Sequence, residues 1–97
     1  MTAELVLHEK ITDESGNTIE MKIWRVPVTS HVPHGLKYSL VYIVNGERAI
    51  GYDNAERRGD HRHIRGVETK YVFRSVRQLV RDFQADVTRY KERFHEG

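Results

Sequence analysis

Two histidines separated by one residue, His61 and His63, lie in the run Gly51 to Gly66, which also holds Tyr52, Asp53, Asn54, Arg57, Arg58, Asp60, Arg62 and Arg65. Ala55 and Ile64 are its only aliphatic side chains, so the run cannot fill a core. If it is extended around Asp60 to Ile64, the two-residue period puts His61, His63 and Arg65 on one face and Asp60, Arg62 and Ile64 on the other. Imidazoles beside guanidinium groups attract phosphate and can move protons near neutral pH. That combination suits metal-independent cleavage of an RNA phosphodiester. The reaction needs a base for the ribose 2′-OH, an acid for the leaving oxygen and fixed positive charge at the transition state.

The expected catalytic set is His61, His63, Arg62, Asp60, Tyr52 and Asp53, with Tyr71 a further candidate to hold the base or act as the acid. Arg57, Arg58, Arg65, Lys70, Arg77 and Arg81 are the expected nucleic-acid contacts. Cations lower an imidazole pKa and Asp53 or Asp60 raises it, so acid and base stay unassigned between His61 and His63. No metal or other cofactor is required by this chemistry. A competing reading makes Asp53, Asp60, His61 and His63 ligands of zinc or manganese, against which the four nearby arginines weigh electrostatically. A third reading is a salt-bridged surface loop, which would explain any one of these residues; their convergence beside a hairpin favours a functional cluster.

The elements that would position the run are legible. Leu5 to His8 reads as a short strand, and Thr12 to Asn17 has turn chemistry. Ile19, Met21 and Ile23 alternate with Glu20, Lys22 and Trp24, the pattern of a half-buried strand. Thr29 to Gly35 reads as a loop, with His31 and His34 on its surface. Lys37 to Val44 and Glu47 to Tyr52 flank Asn45-Gly46, which favours a two-residue type I′ hairpin. That register pairs Val44 with Glu47, Leu40 with Gly51, Ser39 with Tyr52 and Tyr38 with Asp53.

Val67 to Phe73 alternates as a further strand. Ser75 to Gln78 fits a capping box, in which Ser75 and Gln78 satisfy each other's backbone donors. Val76, Leu79, Val80, Phe83, Val87, Tyr90 and Phe94 form one apolar helical stripe. Trp24 suits a core or rim position better than a base-stacking one, and Tyr38 and Tyr42 share a face with Leu40 and should pack. The Arg77 and Arg81 row reads first as a solvated helix face. The expected fold is α+β, an antiparallel sheet of four to five strands with one long C-terminal helix packed on one face.

The chain has 97 residues, 38% of them hydrophobic and 31% charged, which fits a single domain over residues 1–97. A formal charge of +2 is too small to imply nucleic-acid binding by itself. Most arginines lie between Arg57 and Arg93, however, while Glu4 to Glu20 is acid-rich, so one basic face is allowed. The absence of cysteine excludes disulfides, thiolate zinc sites and thiol nucleophiles. There is no long apolar run and the N-terminal residues lack signal-peptide character, so a cytoplasmic protein without a membrane segment is expected. No glycine-rich phosphate loop is present.

Tyr52-Asp53-Asn54, Gly59-Asp60-His61-Arg62-His63, Tyr71-Val72-Phe73 and Asp82-Phe83 resemble the TumE family of toxin components from bacterial and archaeal toxin–antitoxin modules. The resemblance runs from the Asn45-Gly46 hairpin to the helix, and Gly-Asp-His-Arg-His is its most specific part. It implies a small cytosolic toxin, neutralised by a cognate antitoxin that often carries a DNA-binding domain, and RNA as the target common among toxins of this size. Residues 55–58 are less typical of the family. The alternatives are a non-catalytic protein-binding module, docking a partner through the helix end or a sheet edge, and a metal-dependent hydrolase. Either class is compatible with a homodimer.

Overall fold

The computed structural model describes residues 3–55 and 59–94. Six strands form one antiparallel meander in chain order: β1 (Glu4–Thr12), β2 (Thr18–Arg25), β3 (Leu36–Val44), β4 (Glu47–Asp53), β5 (His61–Ile64) and β6 (Val67–Lys70). Helix α1 (Val76–Phe94) follows and lies across one face. The fold is thus the expected α+β arrangement. The sheet is wider than four or five strands because His61 to Ile64 is a strand in its own right.

Alternation decides which face the helix covers. From β2, β3 and β4 the side chains of Met21, Ile23, Tyr38, Leu40, Tyr42, Ile50 and Tyr52 are buried together with Leu79, Phe83 and Val87 of the helix. Each fully buried side chain of this size contributes about 1.5–3 kcal/mol. Phe83 and Tyr71 meet the Tyr52 ring edge-on at centroid distances of 6.1 and 4.9 Å, and Tyr90 meets Tyr42 in the same way at 5.7 Å.

Turn chemistry sets the hairpins. Asn45 and Gly46 both have positive φ (52° and 77°), as a type I′ turn demands. Val44 pairs with Glu47 as expected, but the register then slips by one: Tyr42 pairs with Ile50, Leu40 with Tyr52 and Ser39 with Asp53. The cause is a β-bulge between Tyr42 and Ile43, which leaves Ala49 as the extra residue of β4. Its carbonyl accepts a bond from Arg65 N instead. The slip puts Tyr52 opposite Leu40, inside the core. At the β1–β2 turn, Asp13 Oδ1 accepts bonds from the backbone N–H of Ser15 and Asn17, both at 2.9 Å.

Ser75 caps the helix, its Oγ accepting from Gln78 N at 3.0 Å. The reciprocal half of the capping box does not form, because the Gln78 side chain donates to Asp82 at 2.8 Å. No helix among the described residues is long and apolar enough to cross a membrane.

Candidate functional site

The face opposite the helix carries the polar members of each strand. Cross-strand pairing aligns Lys22, Ser39, Asp53, His61 and Lys70 in one row, and Glu20, Val41, Gly51, His63 and Glu68 in the next. Residues directly opposite in an antiparallel pair share a face, so Asp53, His61 and His63 are brought together by register alone.

Asp53 is the hub. His61 Nε2 donates to its Oδ1 at 2.8 Å, and His63 Nε2 lies 3.6 Å from its Oδ2. A carboxylate can only accept here, which fixes the proton of His61 on Nε2. The two rings are 5.4 Å apart and nearly perpendicular, at 76°. Both histidines are buried, at 4% and 9% exposure, although no helix among the described residues packs on this face. Glu68 Oε1 is 3.6 Å from His63 Nε2, and Arg48 Nη1 is 3.6 Å from Asp53 Oδ2. Gly51 makes room for Arg48: a Cβ at residue 51 would lie 2.7 Å from Arg48 Cδ.

Burial, reinforced by Arg48, pushes the His63 imidazole below the ordinary histidine pKa, more than Asp53 and Glu68 raise it. A depressed value keeps His63 neutral near pH 7, the state required of a proton acceptor. One ligand atom from each of Asp53, His61 and His63 falls within 4.8 Å of the others, so the trio is also shaped to hold a cation.

The other residues singled out in the sequence go elsewhere. Tyr52 and Arg62 point to the helix. Arg62 Nε and Nη2 donate to Asp86 at 2.8 and 2.7 Å, Arg89 donates to Asp86 at 2.6 Å, and the Tyr52 hydroxyl donates to the same carboxylate. Burial raises the Asp86 pKa, but the bonds from Arg62, Tyr52 and Arg89 outweigh it and hold the carboxyl below its ordinary range. Burial and Asp86 drive the Tyr52 phenol far above its ordinary value, and burial with Asp82 does the same to Tyr71. Neither phenol is poised to lose a proton.

Asp60 also turns away from the histidine pair. It accepts from Tyr38 Oη at 2.5 Å and lies 2.9 Å from His34 Nε2, while the His34 ring rests on Phe73 with centroids 4.1 Å apart. His34 is therefore half-buried and structural in its contacts, unlike the surface position expected for it; His31 is exposed.

Of the expected nucleic-acid contacts among the described residues, only Lys70 shares the face of His61. Arg65 was expected beside the histidines, but it adopts a positive φ of 48° in the β5–β6 turn and places its guanidinium 4.1 Å from the Phe94 ring. Arg77 and Arg81 are exposed on the helix, away from its buried residues Leu79, Phe83 and Val87. Arg57 and Arg58 lie outside the described residues.

Arg48, Glu68 and Asp86 were not singled out in the sequence. Glu68 reaches His63 through cross-strand pairing, and Arg48 reaches Asp53 along β4 itself, over Gly51. Asp86 had a signal, since it follows Leu79 and Phe83 at helical spacing on the buried face.

A meander backed by a single helix, with a carboxylate and two imidazoles clustered on its opposite face, defines a small α+β protein with the makings of an acid–base or cation-binding centre. Within that class the chain belongs to the toxin TumE family, whose family model matches residues 2–91. No curated protein and no solved structure matches it.

Proposed function

We propose that this toxin acts on RNA, and that the Asp53–His61–His63 cluster cleaves a phosphodiester by metal-independent proton transfer. The observation that carries the reading is one carboxylate whose two oxygens face two buried imidazoles on the face of the sheet that the helix leaves open. His63, held neutral, takes the proton of the ribose 2′-OH, whose oxygen attacks phosphorus as the P–O5′ bond breaks. His61, the nearest second proton carrier, acts in its doubly protonated form and gives one ring proton to the leaving 5′-oxygen, ending neutral, with Asp53 fixing its ring. Arg48 and Lys70 supply positive charge for the phosphorane-like transition state. Tyr52, Arg62 and Asp60 support the fold beneath this face.

A metal-dependent hydrolase is the second reading, favoured by the spacing of the three ligand atoms. Arg48 beside Asp53 raises the cost of adding a cation there, and the His61–Asp53 hydrogen bond would have to open. Membership of a toxin family supports a cytoplasmic antitoxin as the neutralising partner.

Incubating the purified protein with single-stranded RNA in EDTA separates these readings. Cleavage that His63→Ala abolishes in a folded protein supports proton transfer by the cluster. Cleavage that appears only on adding zinc or manganese assigns the same residues to a metal. Growth arrest on induction that persists undiminished in His61→Ala and His63→Ala, with no cleavage in either condition, would leave a non-catalytic binding module.

A further inference from the structure

We infer that the cleft adjoining His63 is a nucleobase subsite in which Trp24 stacks on an unpaired base of the RNA. The inference rests on the RNA reading above and adds the residue that would recognise the nucleotide next to the reacting phosphate. Trp24, Lys37, Ser39, Arg48, Asp53, Ala55 and His63 line one cleft of about 260 Å³. An apolar cavity of roughly 150 Å³ already admits a benzene ring, so a base fits by volume.

The cleft arises from side-chain size along the open face. Trp24 pairs with Leu5 and Lys37, and Ser39 pairs with Asp53. Small Ser39 and Ala55 leave a floor between the bulkier Trp24, Lys37, Arg48 and His63.

Three properties select a single-stranded nucleotide as the occupant. First, Trp24 is half-buried on a face that the helix does not cover, and its cross-strand neighbour Leu5 is itself 56% exposed. An indole in that position presents a stacking surface that every nucleobase can use. Second, Lys37 and Arg48 line the same cleft and offer cationic donors to the sugar–phosphate backbone. Third, His63 lines the cleft whereas His61 does not, so a base on Trp24 leads its phosphate towards the group assigned the 2′-OH proton. A base within a duplex is already stacked on its neighbours and is denied to the indole, which makes the subsite selective for single strands.

Trp24 is the only tryptophan of the chain, so its emission reports on the cleft directly. The test titrates the whole protein with a short 2′-O-methyl oligoribonucleotide, which lacks the nucleophilic hydroxyl and persists intact. Saturable quenching of Trp24 is expected, absent with a duplex of the same sequence. Stacking strengths measured elsewhere place the loss of affinity in Trp24→Ala at roughly five- to 150-fold by anisotropy of a labelled probe. Trp24→Phe retains part of the affinity, and Lys37→Ala weakens binding and lowers its salt sensitivity, because one backbone cation is lost.

An unquenched Trp24 during demonstrable binding, no binding of the probe, or equal affinity in Trp24→Ala and Trp24→Phe each overturns the subsite. Quenching without cleavage of unmodified RNA sinks the catalytic reading and leaves the subsite standing. Cleavage with Trp24 unperturbed and KM unchanged in Trp24→Ala does the reverse.

Discussion

Replacing Asp86 with alanine should weaken the scaffold without touching the open face. The Asp86 side chain is 1% exposed and gathers Arg62, Arg89 and Tyr52 around one carboxylate. Removing one partner of a buried ion pair costs about 3–5 kcal/mol. Here the arginine side chains remain 33% and 66% exposed, so both guanidiniums can rehydrate. That reduces the ionic share to about 1–2 kcal/mol. Tyr52 has no such escape: it is 2% exposed, and an orphaned buried hydroxyl costs about 1–3 kcal/mol.

Together these terms amount to about 3 kcal/mol, which at a urea slope of about 1 kcal/mol/M lowers the unfolding midpoint by about 3 M. Urea titration followed by circular dichroism and Trp24 emission measures it. Tyr52→Phe should cost less in the Asp86→Ala background than alone, with a coupling of about 1 kcal/mol. A midpoint shift under about 0.5 M, or simple additivity of the two changes, would refute the reasoning. The sign with pH is fixed too. The Asp86 pKa is lower in the folded state, so its contribution is complete above the unfolded carboxyl value of about 4 and is lost as pH falls through the folded value.

Three further expectations follow from the open face. The cleavage rate should rise with pH on a limb centred below the ordinary histidine value of about 6.5, because His63 must be deprotonated and its pKa is lowered; Arg48→Ala should move that limb upward in a pH–rate profile. Gly51→Ala should change the unfolding free energy by no more than about 1 kcal/mol, since the atoms nearest the new Cβ belong to the flexible Arg48 side chain, yet it should move the pH–rate limb as Arg48→Ala does. Asp60→Asn should lower the urea midpoint, through its bonds to Tyr38 and His34, while RNA cleavage in the folded protein stays at the wild-type rate.

The parts of the molecule that depend on short-range chemistry are readable in the chain. Asn45-Gly46, the alternation in β2 and the apolar stripe of α1 each specify an element locally, and all three form. The two-residue period likewise separates His61 and His63 from Arg62 correctly. What is lost depends on long-range register. The bulge at Ala49 has no composition signature, so Tyr52 reads as a neighbour of the histidines although the slip carries it into the core. Arg65 follows strand alternation only until the β5–β6 turn reverses its direction. Asp60 precedes β5, where alternation no longer dictates direction, and Tyr38 and His34, more than twenty residues away, capture it. Glu68 joins the site from the neighbouring strand, and Arg48 reaches Asp53 along β4 by crossing Gly51, neither of which strand alternation alone expresses.

The central claim is that the two imidazoles move the protons and that Asp53 holds them in place to do so. Single-turnover cleavage of a defined single-stranded RNA in excess EDTA, by wild type and by Asp53→Asn matched for circular dichroism and urea midpoint, tests it most directly. The wild type should cleave, and the asparagine variant should be slower by about 10²- to 10⁴-fold, the usual worth of the acid–base groups that Asp53 positions. Equal rates in the two proteins would contradict it.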